Sequence, residues 1–243
     1  MVITLNGART AHSYAPTSNS FFPAHDPEGA SASIALGSHL HQIHEYSFRK
    51  QFSRNEEIFS QGDPAGDVFK VLSGTVRLCR YMHDGRRYIV DFLFPGDLTG
   101  FIEGADQTVS AEAVSEVTLL YYPRACCDRL AEESGAMRAL LVSHISDNLM
   151  TAYQHLFVLG CQKAKERVAS FLLRLADRLG LGAGDLLGLT MGRQDIADHL
   201  GLTTETVCRT IAALKSERVV LVPNAHQLIL NDLDALRILA AKN

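Results

Sequence analysis

The stretch from about Phe48 to Tyr122 limits most strongly what this chain can fold into. It consists of short apolar and aromatic runs separated by turns that carry glycine, as in "EEIFSQGDPAGDVFKVLSGTVRLCRYMHDGRRYIVDFLFPGDLTG". Strands that recur roughly every 8 to 12 residues around such turns are typical of a small antiparallel barrel or sandwich. Asp84-Gly85, between two apolar runs, is the strongest of the hairpin signals.

The hydrophobic period then changes, and a long helix is predicted from about Gly135 to Leu159. Its apolar residues alternate spacings of three and four over nearly three heptads, as in a helix that meets its own copy in a parallel coiled coil. The predicted dimer interface consists of Val142, Ile145, Leu149, Ala152, Leu156 and Leu159. The alternative is a helix packed on its own domain, for which Leu140, Leu141 and Phe157 supply additional apolar surface.

The length of 243 residues exceeds that of a usual single domain. Residues 1–45 lack a sustained period and are expected to form a mobile N-terminal tail. We therefore expect a tail at 1–45, a strand-rich domain at 46–134, the long helix at 135–160 and a C-terminal domain at 161–243. Neither a membrane-spanning apolar run nor a secretory signal pattern is found, so we expect a cytoplasmic protein without a membrane partner.

The five cysteines form no CxxC pair, so neither a disulfide framework nor a zinc site is expected. Most of them are interpreted as small buried apolar residues. The adjacent Cys126 and Cys127 are a candidate redox pair, although such pairs are more often partly buried and inert. Three histidines of the tail, His39, His41 and His44, have side chains that bind metal or haem in other proteins. Such a set in a polar segment is more often solvated, and no metal site is predicted.

Charge is distributed unevenly along the chain, whose formal net charge is -4. From Lys163 to Asn243 there are 11 Lys/Arg against 9 Asp/Glu, which leaves 12 against 18 for residues 1 to 162. A C-terminal domain with this balance permits DNA binding without proving it. That domain is predicted to begin after Gly160 with an amphipathic helix that ends at Gly180.

The segment from Arg193 to Ser216 has the spacing of a helix-turn-helix. "RQDIADHL" predicts a short helix, Gly201-Leu202 a tight turn, and Thr204 to Ser216 a second helix capped by the Thr203 hydroxyl. Ala197, Gly201 and Val207 are small or apolar, as two helices that cross closely require. The two strand-like runs around Asn224-Ala225-His226 add the hairpin of a winged domain.

One face of the second helix carries side chains suited to reading DNA. Glu205, Cys208 and Arg209 lie at i, i+3 and i+4, while Val207, Ile211 and Leu214 are predicted to point inward. Arginine binds guanine O6 and N7, and glutamate accepts from the cytosine amino group. The alternative is a surface ion pair between Glu205 and Arg209, worth about 0.3 to 0.5 kcal/mol.

The order of these parts resembles the CRP/FNR superfamily of bacterial transcription regulators. The resemblance covers roughly residues 46 to 240 and rests on "FSQGDPAGDVFKVLSGTVRL", "FPGDLTG" and "MGRQDIADHLGLTTETVCRTIAAL". "AKERVASFLL" and the E-x-x-[SC]-R form of the second helix look most like the FNR/FixK branch. The resemblance implies an α+β fold with a cyclic-nucleotide-binding-like β-roll, a long dimerisation helix and a C-terminal winged helix-turn-helix.

The resemblance also implies a function. It suggests a homodimeric regulator, more an activator than a repressor, that binds palindromic double-stranded DNA with TTGA-like half-sites and contacts RNA polymerase. The implied DNA-binding residues are Arg193, Thr203, Thr204, Glu205, Cys208 and Arg209. Serine stands at the position of Cys208 in similar regulators, so the contact made there is in question. Acidic turn residues at Asp63, Asp67 and Asp84 are candidates for the polymerase contact.

The β-roll lacks the residues that bind the known ligands of such proteins. Cyclic-nucleotide binders hold the phosphate with an arginine-serine pair, whereas "LTGFIEGADQTVSAEAV" offers Gln107, Thr108 and Ser110 and no arginine. No cysteine precedes Cys79, so the thiolates of an FNR-type iron-sulfur cluster are missing. We therefore expect no cofactor.

Two further hypotheses remain open. Oxidation of Cys208 would add bulk and negative charge facing phosphates and weaken DNA binding, unless this cysteine merely replaces serine. The alternative function is a small-molecule-responsive module whose β-roll binds an unidentified ligand, without strong DNA binding of its own. An enzyme is not expected, because no nucleophile elbow, P-loop or Ser/His/Asp order occurs.

Overall fold

The computed structural model describes residues 35–36, 38–101 and 106–241. Its N-terminal half is the predicted strand-rich domain, a β-roll of two antiparallel four-stranded sheets, ordered β1-β8-β3-β6 and β2-β7-β4-β5. The strands are β1 (Phe48–Phe52), β2 (Glu57–Phe59), β3 (Val68–Ser73), β4 (Val76–Tyr81), β5 (Arg87–Leu93), β6 (Leu98–Thr99), β7 (Ser110–Ala113) and β8 (Val117–Tyr122). The hairpin predicted at Asp84-Gly85 joins β4 to β5.

The end of the predicted tail is packed against the β-roll. A 3₁₀ helix spans His41–Tyr46, and Leu36 and Leu40 are both inaccessible to solvent. The expectation of a mobile tail up to residue 45 is therefore wrong for this part, because the two leucines bury apolar surface in the same core cluster as β3 and β8. The rest of that expectation, residues 1–34, lies outside the described residues.

Two helices follow the β-roll, α1 (Arg124–Glu133) and the long helix α2 (Gly135–Cys161). The long helix packs on its own domain along one face, as the alternative interpretation expected, and the dimer interface on another face stays a prediction. Met137 and Val158 are buried within the chain, and Leu140 and Leu141 pack against a core cluster. On another face five of the six predicted dimer residues are exposed, with Val142 at 64% and Leu156 at 63%, whereas Leu159 is half-buried.

The C-terminal part is the predicted winged helix-turn-helix, with two elements that the sequence did not suggest. Its elements are α3 (Ala164–Leu179), β9 (Leu186–Gly188), α4 (Arg193–Leu200), α5 (Thr204–Ser216), β10 (Val220–Asn224), β11 (Gln227–Leu230) and α6 (Leu233–Ala240). The additional elements are β9, which pairs with β11, and α6, which packs on α3. α3 ends at Gly180, as predicted, and this glycine adopts the left-handed conformation.

The C-terminal domain packs directly on the β-roll. Ile89 and Phe92 of β5 belong to one buried cluster together with Phe171 of α3 and Ile196 of α4. The orientation of the helix-turn-helix is therefore set in part by the β-roll of the same chain. Within the described residues, no helix combines the length and the apolar character that crossing a bilayer requires.

Candidate nucleic-acid interface

The helix-turn-helix crossing is built as its spacing predicts. Ala197 and Val207 are fully buried where α4 meets α5. Gly201 has φ +62°, a conformation that glycine adopts without steric cost, and the Leu202 amide donates to the Ala197 carbonyl at 3.0 Å. These contacts hold α5, the recognition helix, at a fixed angle to α4.

The recognition helix begins at a threonine cap and divides into two faces. The Thr203 hydroxyl accepts from the Thr206 amide at 3.1 Å, which satisfies one of the free donors of the helix terminus. Ile211 and Leu214 are buried, together with Val207. Glu205, Cys208 and Arg209 are exposed, so the side chains predicted to read bases lie together on the open face.

Glu205 and Arg209 form the ion pair that the alternative interpretation expected. Arg209 Nε lies 3.7 Å from Glu205 Oε1, and the two side chains are 71% and 76% exposed. An ion pair so open to solvent contributes little to stability. Both side chains can therefore leave this ion pair and bind base edges at a small cost in free energy.

Arg193 occupies a different environment from the other predicted DNA contacts. It starts α4 and is half-buried, and burial lowers the pKa of its guanidinium. Among the described residues, its Nη1 is a buried donor without a hydrogen-bond partner. Arg193 is thus partly buried, unlike the exposed side chains of Glu205, Cys208 and Arg209.

Gln194 is a residue of this surface that sequence reasoning missed. It is exposed, and its Oε1 accepts a hydrogen bond from the hydroxyl of Thr204, the first residue of the recognition helix. Its amide also donates to Asp198 at 2.6 Å. The sequence signal was available, since Gln194 follows Arg193 at the start of α4, where the free amides of a helix favour phosphate.

Two arginines of the β-roll were also missed, and they hold α4 in place. Arg77 of β4 pairs with Asp195 at 3.3 Å, and Arg87 of β5 pairs with Asp195 at 2.6 Å and with Asp198 at 2.7 Å. These side chains are only 10 to 18% exposed. The pairs neutralise two carboxylates that would otherwise repel DNA phosphates near the recognition helix.

The stretch of the β-roll at the position of the phosphate site of cyclic-nucleotide binders is engaged in internal contacts. The Ser110 hydroxyl accepts from the Gln61 amide at 2.9 Å, and the Gln107 backbone pairs with Gly62 and Asp63. Glu112 of the same stretch binds Arg77 at 2.6 Å. Residues 102–105 of this stretch lie outside the described residues.

The cysteines divide by exposure. Cys79 and Cys127 are buried, and burial raises the pKa of each thiol to about 12, so neither ionises near neutral pH. Cys126 is half-buried, whereas Cys161 and Cys208 are exposed. Only two of the five cysteines are buried, so the interpretation of most of them as buried apolar residues is wrong. Cys208 is exposed on the recognition face, where its position in the second helix placed it.

The comparisons with known proteins agree with this arrangement. Residues 49–134 match the cyclic nucleotide-binding domain, and residues 166–239 match the Crp-like helix-turn-helix domain. The nitrogen fixation regulation protein FixK of Azorhizobium caulinodans is 42% identical over 189 residues, which cover 76% of this chain and 76% of that protein. The transcriptional activatory protein AadR of Rhodopseudomonas palustris is 35% identical over 182 residues, covering 74% of this chain and 76% of that protein.

A solved structure is similar in fold as well as in sequence. FixK2 from Bradyrhizobium japonicum superposes with a TM-score of 0.76 at 32% identity, covering 81% of this chain and 98% of that chain. The β-roll, the long helix and the winged helix-turn-helix thus occur together in similar proteins, over most of their length. The chain belongs to the CRP/FNR family of DNA-binding transcription regulators, in its FixK-like branch.

Proposed function

We propose that this protein is a homodimeric activator that reads a palindromic promoter site with TTGA-like half-sites. The observation that carries the proposal is the open face of the recognition helix, where Glu205, Cys208 and Arg209 are exposed on a helix anchored by buried apolar residues. Arginine and glutamate at this spacing match the acceptors of guanine and the donor of cytosine in the major groove. We expect the regulator to act in the cytoplasm, because the promoter DNA lies there.

The dimer part of the proposal rests on the long helix. Val142, Ile145, Leu149 and Leu156 are each more than half exposed along one face. Exposed apolar side chains in an a/d pattern are stabilised when a second copy covers them. Two recognition helices related by a two-fold axis would lie about one DNA turn, roughly 34 Å, apart and require an inverted repeat.

Activation requires a contact with RNA polymerase, and three acidic turn residues remain our candidates. Asp63 and Asp84 are exposed, and Asp67 is half-buried. The FixK and AadR relatives are named as regulators or activators, which supports activation over repression. Substituting each aspartate by asparagine and measuring transcription from a bound promoter in vitro would identify the contact, because DNA affinity should not change.

We further propose that oxidation of Cys208 weakens DNA binding. The thiol is exposed on the recognition face, and a sulfenic or sulfinic acid there adds bulk and negative charge opposite the phosphates.

Selection of bound sites from random DNA, with reduced and with oxidised full-length protein, tests these proposals together. We expect inverted TTGA-like half-sites one helical turn apart, and weaker enrichment after oxidation. Single half-sites would contradict the dimer, and the absence of any enriched sequence would contradict sequence-specific binding. Equal enrichment with both samples would contradict the role of Cys208 alone.

A further inference from the structure

A buried histidine lies where the helix-turn-helix meets the β-roll. His199 of α4 is only 1% exposed, and both of its ring nitrogens have partners. Nδ1 lies 2.9 Å from the Ile89 carbonyl of β5. Nε2 lies 2.6 Å from Nη2 of Arg174 on α3.

These two partners allow one protonation state of the ring. A carbonyl oxygen only accepts, so Nδ1 must carry the proton and donate it. The Arg174 guanidinium only donates, so Nε2 must accept and carry no proton. A protonated His199 would place two donors against each other at 2.6 Å, which means that the contact exists only while the ring is uncharged.

A second histidine extends the cluster to the long helix. The His155 ring of α2 stacks on His199 with centroids 4.2 Å apart and planes at 14°. Its Nε2 lies 2.9 Å from the Tyr88 hydroxyl of β5. The stacked pair therefore joins the dimer helix, the β-roll and the first helix of the helix-turn-helix at one point.

The charged groups around the pair are mostly cationic. Arg174 lies 3.5 Å from its counter-ion Asp91, and Arg178 pairs with Asp97. Arg167 donates to the carbonyls that end α2 and α4. Burial, and after it the charge of Arg174, lowers the pKa of His155 to about 4 and of His199 to about 3, while Asp91 opposes both shifts.

We propose that His155 and His199 are positioning residues for DNA recognition, whose uncharged, stacked rings clamp α4 to the long helix and to β5. When these contacts break, the recognition helix no longer keeps one orientation relative to the long helix. Sequence-specific DNA binding then weakens. The inference rests on the proposed DNA binding and deepens it, since neither histidine lies on the recognition face.

The sign of the pH effect follows from the depressed pKa values. Each ring binds a proton less readily when clamped than when released, where its pKa returns to the ordinary 6.5. The clamp is therefore fully formed above about pH 6.5 and weakens as pH falls below it. At about pH 5.5 each ring disfavours the clamped state by about tenfold relative to neutral pH.

The test is the pH dependence of binding between full-length protein and the selected palindrome, measured by fluorescence anisotropy from about pH 8 to pH 5.5. For the wild type we expect affinity to fall as pH drops below 6.5, by at most about tenfold for each ring at pH 5.5, because affinity follows the population of the clamped state. The double variant His155→Gln and His199→Gln, which keeps acceptors that cannot be protonated, should lose this acid-induced fall. His83→Gln, which alters an exposed histidine of the β4–β5 turn, is the matched control and should behave as wild type.

The outcomes separate this inference from the proposed function. Superimposable pH profiles for the wild type and the double variant would overturn the clamp, whereas failure of the wild type to bind any palindrome at neutral pH would overturn the function. Circular dichroism at each pH restricts the comparison to folded protein. If the double variant does not fold, His155→Gln alone should remove about half of the fall in log affinity.

Discussion

Leu149→Ala tests whether the exposed face of the long helix is the dimer interface. Leu149 is 51% exposed in the single chain. Complete burial of a leucine side chain is worth about 1.5 to 3 kcal/mol, so covering the exposed half should contribute about 1 kcal/mol. The residue occurs once in each copy, and the variant should therefore weaken the dimer by about 2 kcal/mol, or about 30-fold in dissociation constant. A cavity left at the dimer interface would weaken the dimer further.

Sedimentation measured over a range of protein concentrations without DNA gives the dissociation constant directly. Leu186→Ala is the matched control, because Leu186 is 49% exposed but lies on β9 of the winged domain. We expect the control to dimerise as the wild type does. If both variants dissociated alike, or if neither differed from the wild type, the exposed face of the long helix would not be the dimer interface.

Three further predictions concern DNA reading, the β-roll contact and oxidation. Arg209→Ala should cost about 1 to 3 kcal/mol of discrimination and relax the guanine preference in each half-site; an equal loss on all sequences in a binding-site competition would make it a phosphate contact. Asp195→Asn should lower the free energy of unfolding by about 2 to 3 kcal/mol in denaturant titration, because it removes a buried counter-ion of two arginines. The exposed Asp185→Asn should change it by less than about 0.5 kcal/mol, and equal losses would refute the electrostatic explanation. Cys208→Ser should bind DNA with the same affinity before and after peroxide; a continued drop would exclude this thiol as the target.

Local sequence patterns could not predict the tertiary contacts of the β-roll. Arg77 and Asp195 are 118 residues apart, and no spacing rule relates them. Asp195 and Asp198 look in the sequence like solvated charges of a polar helix face, and their low exposure follows only from docking on β4 and β5. Leu36 and Leu40 were missed because two leucines in a polar segment give no periodic signal until the β-roll offers them a surface.

The sequence by itself determined the local elements and the recognition face. The short apolar runs between glycine turns, the three-four spacing of the long helix and the Ala197-Gly201-Val207 spacing each depend on neighbours within a few residues, which is the range over which periodicity and capping act. Tertiary structure decided the environment of the ionisable groups. His199 is an unremarkable residue of "RQDIADHL", and it became a neutral, fully bonded ring only because Arg174, Ile89 and His155 converge on it from three other elements. Burial and hydrogen bonding by distant parts of the chain set the charge of such a group, so its role could not be inferred before the fold was known.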